Sequence, residues 1–465
     1  RSMLFEAQKT AAFKGIFTAT MGANATMENG DLTIKAGYPN FLPTADVTSP
    51  LNWGTGACVT DGYANREANQ PANTGGDIWF GGDVSIALTP ALSDSVDTYI
   101  RAFNSIYIDG KFEHSLTSAY TSGGEYVDTT LLFAETGNIE AIDVPASGTF
   151  VTFDVSPTDS MYLLLQAGNQ LGNPCGTTLC VTPADYNEWN GNILFGDNKA
   201  LTINHQGVGP TLISASRDIE NQVDADVTFT YENPTLGNKD NLLITAGRHI
   251  ETHAPYLFDY STAGLGIESS ITMQAGHQTS GCDYSLCKAT EAASNIPYNI
   301  AGYTSTGLNN EFASGGAGHG SILAYNTIDF QYYGDSSILM TAKNGNIESD
   351  PYLHGTYPGG AKITFDHQGK GAVRMEAIDI KLHDILTYNG TTHTSDSNGW
   401  FYMTAYDSIL TRSLYYNNVA DMGSVYITTD KLKRDGSGNV ISCGDYQTSA
   451  GGSGIHQGHI VLGYG

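Results

Sequence analysis

A short phrase recurs along this chain: apolar, any, apolar, polar, Ala, then a few residues and an Ile or Leu. It reads "TYIRAFNSI" at Ala102, "TLLFAETGNI" at Ala134, "LLLQAGNQL" at Ala167, "TLISASRDI" at Ala215 and "LLITAGRHI" at Ala246. "ITMQAGHQ" (Ala275), "ILMTAKNGNI" (Ala342), "VRMEAIDI" (Ala377) and "FYMTAYDSI" (Ala405) continue it, with "LTIKAG" (Ala36) before them and "VYITTDKL" (Thr429) after. "IWFGGDVSI" (Gly81), "ILFGDNKAL" (Gly196) and "IVLGYG" (Gly463) place Gly where the others place Ala. Two and four residues before the small position the side chains are mostly apolar, as at Ile34, Ile100, Leu165, Ile244, Met340 and Met403. The residue just before it is polar at Lys35, Arg101, Gln166, Thr245, Thr341 and Thr404. Alternation of period two describes a strand with one face inward. A small inward residue at a bend lets one coil turn without colliding with the next.

The marks are irregularly spaced, for example 21 residues from Gly81 to Ala102 and 19 from Gly196 to Ala215, against 31 from Ala215 to Ala246. Such spacing suits a solenoid whose insertions leave a stacked core, and fits a four-stranded propeller blade poorly. The fold class expected is all-β, a right-handed parallel β-helix with irregular loop insertions. It would form one solenoid over residues 1–465, a segment of a longer chain, with a long loop insertion at 277–320. The gap of 67 residues between Ala275 and Ala342 is expected to hide an extra coil at "SILAYNTI" (Ala324). Coils near 25 residues would make a rod roughly 80–90 Å long.

The charge balance is 21 Lys plus Arg against 48 Asp plus Glu, a formal net charge of −27. That sign repels phosphate backbones and anionic lipid, so no nucleic-acid partner is expected. No apolar run approaches the roughly 20 residues that cross a bilayer, so no membrane insertion is expected either. The 54 Gly and 27 Tyr, with abundant Thr, Ser and Asn, agree with strands and turns.

Cys175 and Cys180 ("CGTTLC") and Cys282 and Cys287 ("CDYSLC") form two pairs with the same gap. Two local disulfides in an oxidising compartment would explain that spacing, and a zinc site drawing on both pairs is the weaker alternative. Cys58 and Cys443 remain over and could pair with each other only if the two ends of the chain meet.

The phrases "LLITAGRHIE", "ILMTAKNGNIES", "LTIKAG" and "ITMQAGHQ" resemble the haemagglutination-type repeats of filamentous-haemagglutinin-like adhesins, large secreted bacterial surface proteins. The resemblance extends patchily over most of the chain. It implies a β-helical stalk and a non-enzymatic adhesive role, outside the cell or at its surface.

Candidate chemistry is sparse. A carbohydrate-degrading enzyme on this scaffold, a lyase or a glycoside hydrolase, needs carboxylates along one outer face. Asp379, Asp384 and His383 in "AIDIKLHD", with Arg374, are the residues to consider, though their spacing fits outward polar positions equally. His249 and His253 in "HIETH" have the spacing of a metal-binding pair but follow a strand, where that spacing does not put both rings on one helical face. The turns at 395–399 and 435–439 are oxygen-rich enough to suit calcium without completing a ligand set, and no cofactor is expected. Tyr332, Tyr333, Trp400, Tyr415 and Tyr416 would stack on sugar rings where exposed and on each other across coils where not.

The expected function is therefore a rigid surface adhesin or fibre segment. Its loops would meet surface glycans or a host or abiotic surface, loops on a rigid scaffold being where recognition concentrates. The alternatives are the carbohydrate-degrading enzyme and a filament subunit joined end to end.

Overall fold

The computed structural model describes residues 3–36, 76–168, 191–275, 320–349, 361–418, 425–443 and 459–462, with short breaks inside these spans. Among them the chain is all strand and turn, and winds as a parallel β-helix. Twelve coils stack in chain order and build three parallel sheets. Eleven steps of about 4.8 Å make a rod roughly 53 Å long, shorter than expected because the coils carry more residues than the sequence spacing suggested.

The first sheet holds the repeated phrase. Ala36, Ala102, Ala134, Ala167, Ala215, Ala246 and Ala275 face one another in one unbroken column. Ala342, Ala377 and Ala405 continue it after Gln274 pairs with Thr341. Two residues earlier runs an equally regular column, Ile34, Ile100, Leu132, Leu165, Ile213, Ile244, then Met273, Met340, Met375 and Met403. Like residues stack on like, and all of these are buried in one core.

Two expectations about the phrases are corrected. The Gly81 and Gly196 phrases do not share the first sheet: Ile78–Phe80 and Ile193–Phe195 are three-residue strands of the second sheet. The spacings of 21 and 19 residues therefore measured part of a coil. Nor does the interval before Ala342 hide a coil. Ile271 pairs directly with Ile338, and Ile322–Ala324 is the second-sheet strand of the same coil, between Ile250–Thr252 and Ile347–Ser349. Gly463 and Thr429 lie outside the described residues.

The third sheet carries a four-ring ladder, Phe229, Phe258, Phe330 and Phe365, with centroids 4.5–5.1 Å apart and planes within 10°. Beside it run His205, Tyr231, Tyr260, Tyr332 and His367. Rows one strand apart place identical rings at near-contact distance, so stacking repeats with the register.

Outward side chains differ by sheet. In the second and third sheets they are half-buried, as period-two alternation implies. In the first sheet many are buried too, although Tyr162 and Tyr426 are exposed: Tyr99, Leu131 and Phe133 form a second apolar cluster with Leu164, and Arg101 lies over the Phe133 ring. Polar Thr245 and Thr341 share this face and are also buried. The alternation of residue types was legible, but the burial of much of this sheet's outer face was not.

Candidate functional site: the corner between the first and second sheets

After each Ala the chain bends and enters the second sheet through a polar residue followed by an inward Ile. At the bend the strand ladder is interrupted, so the backbone N–H needs another acceptor. The side chain of the same position on the preceding coil supplies it. Asp77 Oδ1 accepts from Ser105 N at 3.1 Å, Ser105 Oγ from Asn138 N at 3.1 Å, and Asn138 Oδ1 from Asn192 N at 2.9 Å. Asn192 Oδ1 accepts from Asp218 N at 3.1 Å, Asp218 Oδ1 from His249 N at 2.9 Å, and His249 Nδ1 from Ser321 N at 3.1 Å. Ser321 Oγ then accepts from Asn346 N at 3.0 Å. Seven links join eight coils along one edge of the rod. Glycine next to the ladder is a packing requirement: a Cβ on Gly137 would sit 2.3 Å from Ser105 Oγ, and one on Gly345 2.3 Å from the Gly320 carbonyl.

Sequence reasoning alone missed this ladder. Its signal was present in the residue just before each Ile, as in "DI", "SI", "NI", "NI", "DI", "HI", "SI" and "NI".

The same corner is where the chain makes its longest excursions. They run between Ala36 and Ile78, Ala167 and Ile193, Ala275 and Ile322, and Thr428 and His459, on coils 2, 5, 8 and 12. All six cysteines fall within these four intervals. Cys58, Cys175, Cys180, Cys282 and Cys287 lie outside the described residues, as does the 277–320 insertion up to Gly320. Cys443 is in an antiparallel pair, its backbone opposite Leu432.

Just past the ladder, the outer face of the second sheet carries carboxylates. Glu220 and Glu251 are opposite each other on neighbouring strands. His253 Nε2 lies 3.4 Å from Glu251 and 3.9 Å from Glu220, and its ring stacks on Tyr325 at 4.2 Å. Burial first, then the Glu251 charge, raises the Glu220 carboxyl above its ordinary value, with His253 opposing. Arg248 pairs with Asp218 one coil below. Among the described residues no group of three or more His, Cys, Asp or Glu is arranged to hold a metal ion. His249 and His253 flank the strand Ile250–Thr252, one in the ladder and the other at the next corner.

Of the residues considered for catalysis, Arg374 and Asp379 lie on different sheets. Arg374 is on the first sheet with its guanidinium 5.0 Å from the Tyr402 ring. Asp379 is on the second sheet, between Asn346 and Ser408, 3.3 Å from Lys381, which also reaches Glu348 at 3.6 Å. The strand continues through His383 and Asp384, whose side chains lie outside the description.

The aromatic candidates divide. Tyr332 is 1% exposed and faces the interior between Tyr260 and His367, so no sugar can reach it. Tyr333 faces outward, half-buried, its hydroxyl donating to Asp366 Oδ2 at 3.3 Å. Tyr415 is 60% exposed on the third sheet. Trp400 and Tyr416 have described backbones but not described side chains. Tyr402 and Tyr426 stack face to face across coils at 5.1 Å and 12°.

No protein-family model, curated protein or solved structure matches this chain.

Proposed function

We propose that this chain is a non-enzymatic extracellular stalk, a segment of a large surface adhesin or fibre of the filamentous-haemagglutinin-like kind, whose insertions contact glycans or another surface. One observation carries the reading: the four long insertions, holding every cysteine, leave a regular rod at a single corner, on coils 2, 5, 8 and 12. A continuous core running through all coils supports a spacer role, and one-sided insertions suit recognition from a rigid scaffold. The cysteines suit an oxidising compartment, with Cys175–Cys180 and Cys282–Cys287 as local disulfides.

The test replaces residues 277–319 by a short Gly-Ser turn and compares binding to a glycan array and to coated surfaces. Loss of binding with an unchanged melting temperature supports the reading. Binding that survives removal of this insertion, and of the one between Ala167 and Ile193, overturns it. Mapping of the native disulfides by mass spectrometry checks the two pairings separately.

A further inference from the structure

Of the links in the corner ladder, one uses an acceptor that a proton converts into a donor. Asp, Asn and Ser oxygens accept an N–H across the range from about pH 4 to 8. His249 Nδ1 accepts from Ser321 N only while it carries no proton, which places the neutral ring's hydrogen on Nε2. We propose that the joint between coils 7 and 8 is an acid-sensitive seam, in which protonation of His249 Nδ1 sets N–H against N–H and releases the Ser321 amide.

Charged groups reach the ring from its own coil and from the coil below. On coil 6, Asp218 accepts the His249 backbone N–H and is held by Arg248. Arg248 and Glu251 stand on the ring's own coil, and above it Ser321 and Asn346 are uncharged. Burial above all, with Arg248 adding to it, keeps the imidazole below its ordinary value, against the opposing charges of Asp218 and Glu251 and a backbone contact with Ser321. The neutral acceptor form is thus the resting state at pH 7, and acid removes it.

The consequence is local. Above the seam Ser321 Oγ still holds Asn346 N, and below it Asn192 still holds Asp218 N. Ser321 is also where the chain rejoins the rod after its longest excursion, so the seam governs how firmly that re-entry is pinned.

Hydrogen exchange on the full chain tests this as a titration from pH 7.5 down to about pH 4, corrected for intrinsic exchange and followed alongside the protonation of His249 by NMR. Protection of the Ser321 amide should fall at least ten-fold in acid, while the Asp218 and Asn346 amides hold. In His249→Asn, which keeps an acceptor of the kind seen at Asn138 and Asn192, the Ser321 protection should no longer depend on pH. Protection that is independent of pH in the wild type, or equally pH-dependent in His249→Asn, overturns the proposal. Should the variant fold poorly, nitrogen NMR of wild-type His249 decides: a protonated Nδ1 at pH 7.5 refutes the seam, and an unprotonated one that gains its proton as Ser321 protection falls supports it.

Discussion

Asn138 Oδ1 accepts the backbone N–H of Asn192 at 2.9 Å, although the two residues are 54 positions apart. The same oxygen also receives the Asn192 side-chain amide at 3.3 Å, so one carbonyl ties two coils at their bend. Replacing Asn138 by Ala leaves a buried N–H without its acceptor, and should cost about 1–3 kcal/mol. Asn138→Ser should cost less, because Ser105 and Ser321 fill the same column. Urea melts of the two variants distinguish these outcomes, and equal losses would show that the ladder contributes nothing specific.

Overpacking the Ala column should be felt at once. Ala246 has no exposed surface and lies between Ala215 and Ala275. Ala246→Leu forces neighbouring coils apart and is expected to cost at least about 1–3 kcal/mol, whereas Thr228→Val on the outward face of the third sheet should stay within about 0.5 kcal/mol. Thermal unfolding followed by circular dichroism measures both. A tolerated Leu at 246 would mean that the small residue is not a steric requirement.

Asp97 should make stability depend on pH in the sense opposite to acid denaturation. Its carboxyl accepts Tyr99 O–H at 2.9 Å and Thr129 N–H at 2.7 Å, yet burial dominates and raises it from 3.8 to about 6. The folded state then holds a proton that the unfolded chain has released. The contribution of this group is greatest below about pH 4 and is lost as the pH rises toward 6. Asp97→Asn should therefore raise stability at pH 7.5 by about 1–2 kcal/mol and flatten the profile between pH 4 and 6. A variant less stable than wild type at pH 7.5 would show that the hydrogen bonds of the carboxylate outweigh its burial.

His114 should oppose it at lower pH. The ring is fully buried, with Nε2 within 3.0 Å of Thr130 Oγ1 and 3.3 Å of Thr98 Oγ1, and burial pushes it down to about 3. A depressed histidine stabilises the fold above its unfolded value of 6.5, and that contribution falls progressively as acid approaches pH 3. His114→Gln should reduce the loss of stability between pH 6 and pH 3.5, read from melting temperatures. An unchanged slope would place the acid sensitivity elsewhere.

Tyr332 and Tyr415 separate packing from surface chemistry. Tyr332→Ala removes an interior ring between Tyr260 and His367 and should cost about 3–5 kcal/mol. Tyr415→Ala, on an exposed position, should leave the melting temperature within about a degree or two. If Tyr415→Ala lowered glycan binding, that exposed ring would belong to the recognition surface. Unchanged binding would leave recognition to the insertions.

The coil and the core of its first sheet can be read directly from the order of the residues. Alternation of period two fixes which side chains face inward along a strand, and stacked coils need a small residue at each bend. Ala134, Ala246, Ala342 and Ala405 therefore align by pattern alone, and they share one column in the fold. Even the ladder is written in the residue ahead of each Ile. Which phrases share a sheet depends instead on the path of the whole coil. The Gly81 and Gly196 phrases look like the others but occupy the short second sheet, because the bend after Ala divides one coil into separate strands. Folding in three dimensions also sets Tyr332 inward and its neighbour Tyr333 outward, a parity shared with Ile328 and Phe330 on the same strand. Contacts such as His249 with Ser321 join residues 72 apart across an insertion of arbitrary length. Local pattern carries no record of how much chain intervenes, so only the register of stacked coils brings such pairs together.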